Sequence, residues 1–338
     1  MSILQKYIDA FSAGRDLSGD VAEIFLDGLI TETNETLLAE VFRAWDQKGI
    51  SGDEIYEIAS LMRGRCTRVS SKHETFVDIV GTGGSRSKTF NVSTAAAFVI
   101  AGAGLPVAKH GNKAATSSSG SADVLSALGV EPAVDPATSE RCLNDIGLCF
   151  MFAPNFHRLS PTLAKVRRGL GFPTIFNCVG PLCNPANAPH QVIGVWREEL
   201  VEKMAAALSR LGTKKSWIVH GHDGLDEISL SGPTLVGEIE NGAVRTFHIS
   251  PADFSVDAKQ LNGINAETPA ESAKLILAVL DGEMVESAAV GLVMINAAAA
   301  LHVAGCADSL RNAVGLARAS LSSGNARKKL DELSDAVR

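Results

Sequence analysis

The periodicity of the sequence changes near Ser70, and this change constrains the fold more than any other feature. Before it, apolar residues recur only at helical spacing: Ile3, Leu4, Tyr7, Ile8 and Phe11, then Leu37, Leu38, Val41, Phe42 and Trp45. Ser51 and Glu54 fit a capping box ahead of Ile55, Ile58, Leu61 and Met62. After the change, residues 76–80 form a short apolar run closed by Gly81, which predicts a buried strand. Residues 94–104 predict a helix, 105–108 a second strand and 121–128 a second helix. A further strand is expected over 216–220, with helices over 271–280 and 287–302. Such alternation implies a mostly parallel sheet covered by helices, so the expected class is α/β behind a small helical bundle. The stretch 154–190 carries six prolines and reads as a folded hinge and loop region.

Composition narrows the function classes. A chain of 338 residues accommodates two domains or one large α/β domain. A net charge of −7 and only 5% aromatic residues disfavour a nucleic-acid surface. The N-terminus has no uninterrupted apolar core of a signal peptide, and no charge-free apolar run reaches membrane-spanning length. The nearest run, 288–303, is interrupted by Asn296 and His302 and reads as a buried helix. Six cysteines show no CxxC spacing, which predicts reduced thiols of a cytoplasmic protein, without metal or nucleophilic roles.

Four clusters carry chemistry. The first is GTGGSRSKTFNVST, residues 81–94, between an expected strand and an expected helix. Its glycines let a ligand approach the backbone, and the free amides of the following helix attract anions. It lacks the Gly-Lys of a Walker A loop, and Arg86 stands at the third glycine of the dinucleotide fingerprint. The alternative is a Gly-rich turn with ordinary helix caps. The second, KHGNKAATSSSGS over 109–121, follows the next strand and joins two lysines to a run of hydroxyls. That suits a phosphate ester, or a solvated loop. The third, Asp223-Gly224-Leu225-Asp226-Glu227, offers adjacent carboxylates that serve Mg²⁺ when a substrate brings phosphates, or form a solvated acidic turn. The fourth, Arg167-Arg168, is either a solvated helix face or a fork for a substrate carboxylate.

Taken together, these motifs resemble the anthranilate phosphoribosyltransferase family. That family's pattern runs GTGGDGxxTFNxST, KHGNRxxSSxxGSAD, VRRxLGxRTxFNxLGPLxNP and GxDGLDEIS. This chain reads GTGGSRSKTFNVST, KHGNKAATSSSGSAD, VRRGLGFPTIFNCVGPLCNP and GHDGLDEIS, in the same order and with matching internal lengths. The resemblance covers nearly the whole chain. It implies a helical domain over 1–70 with a returning segment near 165–190, and a phosphoribosyl-diphosphate-binding α/β domain over 71–338. It also implies dimers formed through the helical domains.

The implied reaction joins 5-phosphoribosyl-1-diphosphate (PRPP) and anthranilate, releases pyrophosphate and belongs to tryptophan biosynthesis. Carried over by position, PRPP would be held by Gly81, Gly84, Ser85, Thr89, Asn91, Val92, Ser93 and Thr94. Lys109, His110, Gly111, Asn112, Lys113, Ala114, Ala115, Thr116, Ser117 and Ser121 would embrace the rest of it. Gly81, Asn112 and Arg167 would contact anthranilate, and Ser93, Asp226 and Glu227 would bind Mg²⁺. His110 and His157 match positions near the acceptor route. No nucleophile or obligatory base is expected, because an aromatic amine is already neutral at pH 7. The chain departs from the family pattern at Ser85 (Asp), Arg86 (Gly), Lys113 (Arg) and Arg158-Leu159-Ser160 (Pro-Ala-Met). Two further classes share parts of the motifs: a relative with another acceptor or a pyrimidine-nucleoside phosphorylase type, and a non-catalytic nucleic-acid binder. Asn112, Arg167 and the Asp-Glu pair favour the transferase over the first. The acidic charge and the intact donor motifs argue against the second.

Overall fold

A computed structural model describes residues 2–85, 89–114, 119–284 and 287–338. Four helices open the chain: α1 (Ile3–Ser12), α2 (Gly19–Thr31), α3 (Glu35–Lys48) and α4 (Gly52–Arg65). Their ends follow local chemistry. Asn34 caps α3 by accepting from the amides of Thr36 and Leu37, and Ser51 with Glu54 completes a capping box on α4. Strand β1 (Val77–Gly81) leads to α5 (Val92–Gly102), β2 (Val107–Gly111), α6 (Ser121–Ala127), α7 (Pro136–Ile146) and β3 (Leu148–Phe152). Then come α8 (Ala153–Phe156), α9 (Pro161–Gly169), α10 (Ile175–Leu182), β4 (His190–Gly194), α11 (Leu200–Leu211) and β5 (Lys215–Gly221). Strands β6 (Thr234–Glu240) and β7 (Ala243–Ile249) precede α12 (Pro269–Leu280), α13 (Ala288–Val303), α14 (Leu310–Ser322) and α15 (Asn325–Ala336).

Among the described residues the strands form one sheet ordered β3-β2-β1-β4-β5-β6-β7. Strands β1 to β5 pair in parallel, and β6 and β7 add an antiparallel edge. The chain runs outward from β1 to β3 and then returns to the other side of β1. The junction of β1 and β4 is therefore the switch point beyond whose carboxyl ends α/β sheets bind ligands.

Three features differ from the sequence expectation. The second strand is Val107–Gly111, because parallel pairing with β3 extends from Val107 to Gly111. Lys109, His110 and Gly111 thus lie in a strand. Residues 154–190 hold three helices, with Pro154 and Pro161 in the first turns of α8 and α9, where a missing N–H costs nothing. The β6–β7 hairpin turns on Asn241-Gly242, both at positive φ.

Two hydrophobic clusters fill the molecule. One lies around α5 and α13, both apolar on nearly every face and packed on each other. The other gathers α1–α4, α9, α10 and α11 with Ile193 of β4 and Ile218 of β5, so the helical core continues onto the sheet through α11. No described helix is long and apolar enough to cross a membrane.

Candidate active site

A cavity of about 400 Å³ opens at the carboxyl ends of β1 and β2, roofed by α9 and α10. It is lined by Gly81, Gly84, Ser85, Thr89, Asn91, Val92 and Ser93, by Lys109 through Ala114 with Ser121, and by Arg167, Asp226 and Glu227. All the described residues singled out from the sequence as binding residues are brought together there except Thr94. That residue is buried in α5, where its hydroxyl has no hydrogen-bond partner among the described residues. Arg86, Ala115, Thr116 and Ser117 lie outside the described residues.

The first loop leaves β1 through Gly83 and Gly84, both at positive φ. Close packing explains two other glycines. A Cβ on Gly81 would lie 2.6 Å from Asp226 Oδ2, and one on Gly194 would lie 1.6 Å from the Asp226 carbonyl oxygen. The acidic loop therefore rests directly on the ends of β1 and β4. The Gly83 amide donates to Asp226 Oδ2 at 2.9 Å, and the Ser85 side chain also hydrogen-bonds that carboxylate. Asn91, which lines the cavity, donates to Ser119 O at 3.2 Å and accepts from Ser272 Oγ. It ties the first loop to the second. Asp123 closes the second loop by accepting from the amides of Ala114 and Gly120.

Lys109 is buried, with its ammonium donating to Ile79 O at 2.6 Å and to Ser93 Oγ at 3.3 Å. Burial lowers its pKa, against the attraction of Asp78 and Glu227. Asp226 and Glu227 are both pushed up by burial, and Glu227, which also feels the Asp226 charge, reaches about 8. Ser93 lies in the first turn of α5 beside Glu227, so the amino end of α5 favours the charged form of this carboxylate. Two desolvated carboxylates that repel each other fit a bound cation. Among the described residues no group of three His, Cys, Asp or Glu could hold a metal. An all-oxygen set of two carboxylates and the Ser93 hydroxyl suits Mg²⁺, which keeps water and substrate phosphates as its remaining ligands.

The opposite wall is made of side chains. The Arg167 guanidinium lies 4.9 Å from the centre of the Phe176 ring, and its buried Nε has no hydrogen-bond partner among the described residues. Among the described residues no carboxylate pairs with it. Burial, with the neighbouring Arg168 charge, lowers its pKa to about 10, so it stays cationic at neutral pH. His110 and His157 meet edge to face, with ring centres 5.1 Å apart and planes at 60°. Burial lowers the His110 pKa to about 3 and that of His157 to about 4, so both rings are neutral. His110 Nδ1 lies 3.1 Å from Gly180 O, and Asn177 Nδ2 donates to Thr82 O, joining α10 to the first loop. Phe176, Asn177 and Gly180 were missed as site residues by sequence reasoning. Their only signal was the FNCVGP segment of the third motif.

Comparison with known proteins follows the same lines. The model of the glycosyl transferase family, a/b domain, matches residues 73–327. An anthranilate phosphoribosyltransferase of Moorella thermoacetica is 42% identical over 332 residues, covering 98% of this chain and 97% of that protein. The chain belongs to the anthranilate phosphoribosyltransferase family. The crystal structure of the family's member from Thermus thermophilus superposes with a TM-score of 0.88 at 35% identity, covering 98% of this chain and 99% of that one. The family's Saccharomyces cerevisiae member, in complex with PRPP and Mg, gives a TM-score of 0.87 at 30% identity, covering 99% and 97%. Both cover the helical amino-terminal region together with the α/β sheet.

Proposed function

We propose that this protein transfers the 5-phosphoribosyl group of PRPP to the amine of anthranilate, releasing pyrophosphate, in tryptophan biosynthesis. The observation that carries this reading is Arg167. A half-buried arginine with a buried, unpartnered Nε and no anionic partner among the described residues, in a cavity that also holds an anion cradle, calls for a substrate carboxylate on its side.

The diphosphate of PRPP is held by the amides of the first loop, by Lys109 and by the second loop. Ser93, Asp226 and Glu227 hold Mg²⁺ against it. When bound, that ion supplies charge neutralisation for the diphosphate. Arg167 grips the acceptor carboxylate, with Asn112 and Gly81 beside it, and turns the amine toward C1 of the ribose. The nitrogen lone pair forms the new bond to C1 as the C1–O bond breaks. The electron pair departs with pyrophosphate, and the amine proton passes to water. The sugar carries oxocarbenium character on the way. This chain's residues serve by orienting the two substrates and by stabilising the leaving group. None of them acts as nucleophile or obligatory base.

The division into a helical domain over 1–70 with a returning segment near 165–190, and an α/β domain over 71–338, is part of the same proposal. The shared cluster of α1–α4, α9 and α10 supports it. So is a homodimer formed through the helical domain. Ile24, 59% exposed on α2, is the most exposed large apolar side chain among the described residues. Six free cysteines, five of them buried, accord with a cytoplasmic protein. The test is direct: purified protein with Mg²⁺ and PRPP should consume anthranilate, followed as loss of its fluorescence. Phosphorolysis of thymidine or uridine without added pyrophosphate would favour the phosphorylase type. Salt-sensitive DNA binding without turnover would favour the nucleic-acid binder.

A further inference from the structure

Helix α13 carries a polar group that its surroundings do not call for. Every other buried side chain on it is apolar or absent, yet Asn296 sits at its centre with 0% exposure. A primary amide in such a core is costly unless it is hydrogen-bonded. Here both donors and the oxygen have partners. Asn296 Oδ1 accepts from Ile228 N at 2.9 Å, and Nδ2 donates to Ile228 O at 3.0 Å and to Leu292 O at 2.9 Å. One side chain thus pairs with both peptide groups of Ile228, the residue that follows Glu227. A second contact lies nearby, where a Cβ on Gly291 would come within 2.7 Å of Leu230 Cδ2.

The same helix packs along α5, whose first turn carries Ser93, which lines the cavity together with Asp226 and Glu227. Helix α13 is therefore the common support of the two pieces that meet at the cation site. The acidic loop is held from the sheet side by the close fit of Asp226 on Gly81 and Gly194. From the helix side it is held by Asn296 alone among buried side-chain amides of α13. We propose that Asn296 is a positioning residue: by clamping both peptide groups of Ile228, it fixes Asp226 and Glu227 against Ser93 and so sets the affinity for the divalent cation that accompanies PRPP. This rests on the transferase reading given above.

The test compares wild type with Asn296→Leu, which keeps the volume and leaves Ile228 unpaired. Calorimetric titration of Mg²⁺ into protein with PRPP, and the Mg²⁺ dependence of turnover, should both show the half-saturating concentration raised about tenfold. Groups that orient metal ligands have effects of this order. KM for anthranilate should stay within about twofold, and circular dichroism should be unchanged. A folded variant with the wild-type Mg²⁺ dependence would overturn the proposal, whatever its melting temperature. If Asn296→Leu does not fold, Asn296→Ala takes its place, since the space left can admit a water to Ile228, and the same shift is expected. Wild-type protein without Mg²⁺-dependent PRPP binding would overturn the transferase reading itself. A wild type that binds, with a variant that binds equally well, would overturn only the role of Asn296.

Discussion

The two ends of the cavity are built by different means. The end beneath β1, β2 and the acidic loop is mostly main chain. Gly83 donates its amide to Asp226, the amino end of α5 favours the charged form of Glu227, and Gly81 and Gly194 admit the acidic loop because they have no side chain. The end beneath α9 and α10 is side chain: a guanidinium on a phenyl ring and two neutral imidazoles edge to face. A diphosphate is recognised by many amides at once, and its negative charge is spread. A planar aromatic acid needs one cation and apolar faces. The first end should therefore fail steeply when backbone geometry shifts, and the second should fail by one interaction at a time.

The largest effect is expected at the cation site. Asp226→Ala should lower kcat about a hundred- to a thousandfold, the order seen when one stabiliser of transition-state charge is removed, with folding intact by circular dichroism. Unchanged turnover in Mg²⁺ would return this turn to a solvated one. Next comes Gly194→Ala. Its Cβ would sit 1.6 Å from the Asp226 carbonyl oxygen, a backbone atom that cannot swing aside. The loop must move, and a misplacement of about 1 Å can cost a hundredfold in rate. The loss should appear in PRPP use, with anthranilate KM little altered. Equal defects for both substrates would show that the two ends are not separable.

Arg167→Ala tests the other end. A charge-assisted pair to a carboxylate contributes roughly 1.5–3 kcal/mol, so kcat/KM for anthranilate should fall about ten- to a hundredfold while PRPP binding barely changes. Arg167→Lys keeps the charge and loses the fork, and should recover only part of the loss. A PRPP defect as large as the anthranilate defect would move Arg167 to the donor end.

The same contrast explains what the sequence disclosed. Gly81, Gly83 and Gly84 advertise a close backbone approach, and Asp226-Glu227 follows a strand, so the donor end could be placed on strand ends from local pattern. Phe176, Asn177 and Gly180 lie in a stretch that reads as hinge and loop, and nothing in a one-dimensional pattern tells a cavity-lining phenyl from a core one. Asn91 adds what local pattern could not carry. It lines the cavity as its position at the start of α5 suggested, while contacts with Ser119 and Ser272 fix its amide there. In the fold, strand–helix alternation announced the parallel sheet, while the proline-rich stretch 154–190 concealed three short helices. Prolines in a first turn look, in sequence, like prolines in a loop. The continuity of the helical core with the sheet through α11 depends on packing between segments far apart in the chain, and no local pattern carries it.

The smallest effect concerns charge at the acceptor end. His110 and His157 are 3% and 7% exposed, and burial holds them near pKa 3 and 4. Both rings therefore stay neutral across pH 6 to 8, and KM for anthranilate should be flat over that range as far as these rings determine it. Stability shows the sign of the shift. In the unfolded chain a histidine takes up a proton below about pH 6.5, whereas in the folded protein these two do not. The unfolded state then binds more protons, so the contribution is full above about pH 6.5 and is lost as the pH falls toward the folded values. Each ring should account for up to about 1.4 kcal/mol per pH unit in that window. Asp78, raised to about 6, acts in the opposite sense over part of it, so the wild-type curve alone does not isolate the imidazoles. The difference between wild type and His157→Gln does. Urea unfolding of the two proteins should give curves parallel above pH 6.5 that converge by roughly 2–3 kcal/mol at pH 4.5. Curves that stay parallel to pH 4.5 would mean that His157 protonates in the folded state as readily as in the unfolded one. The acceptor end would then present a second cation beside Arg167 in mild acid, and the contrast between an anion-holding donor end and a single-cation acceptor end would have to be redrawn.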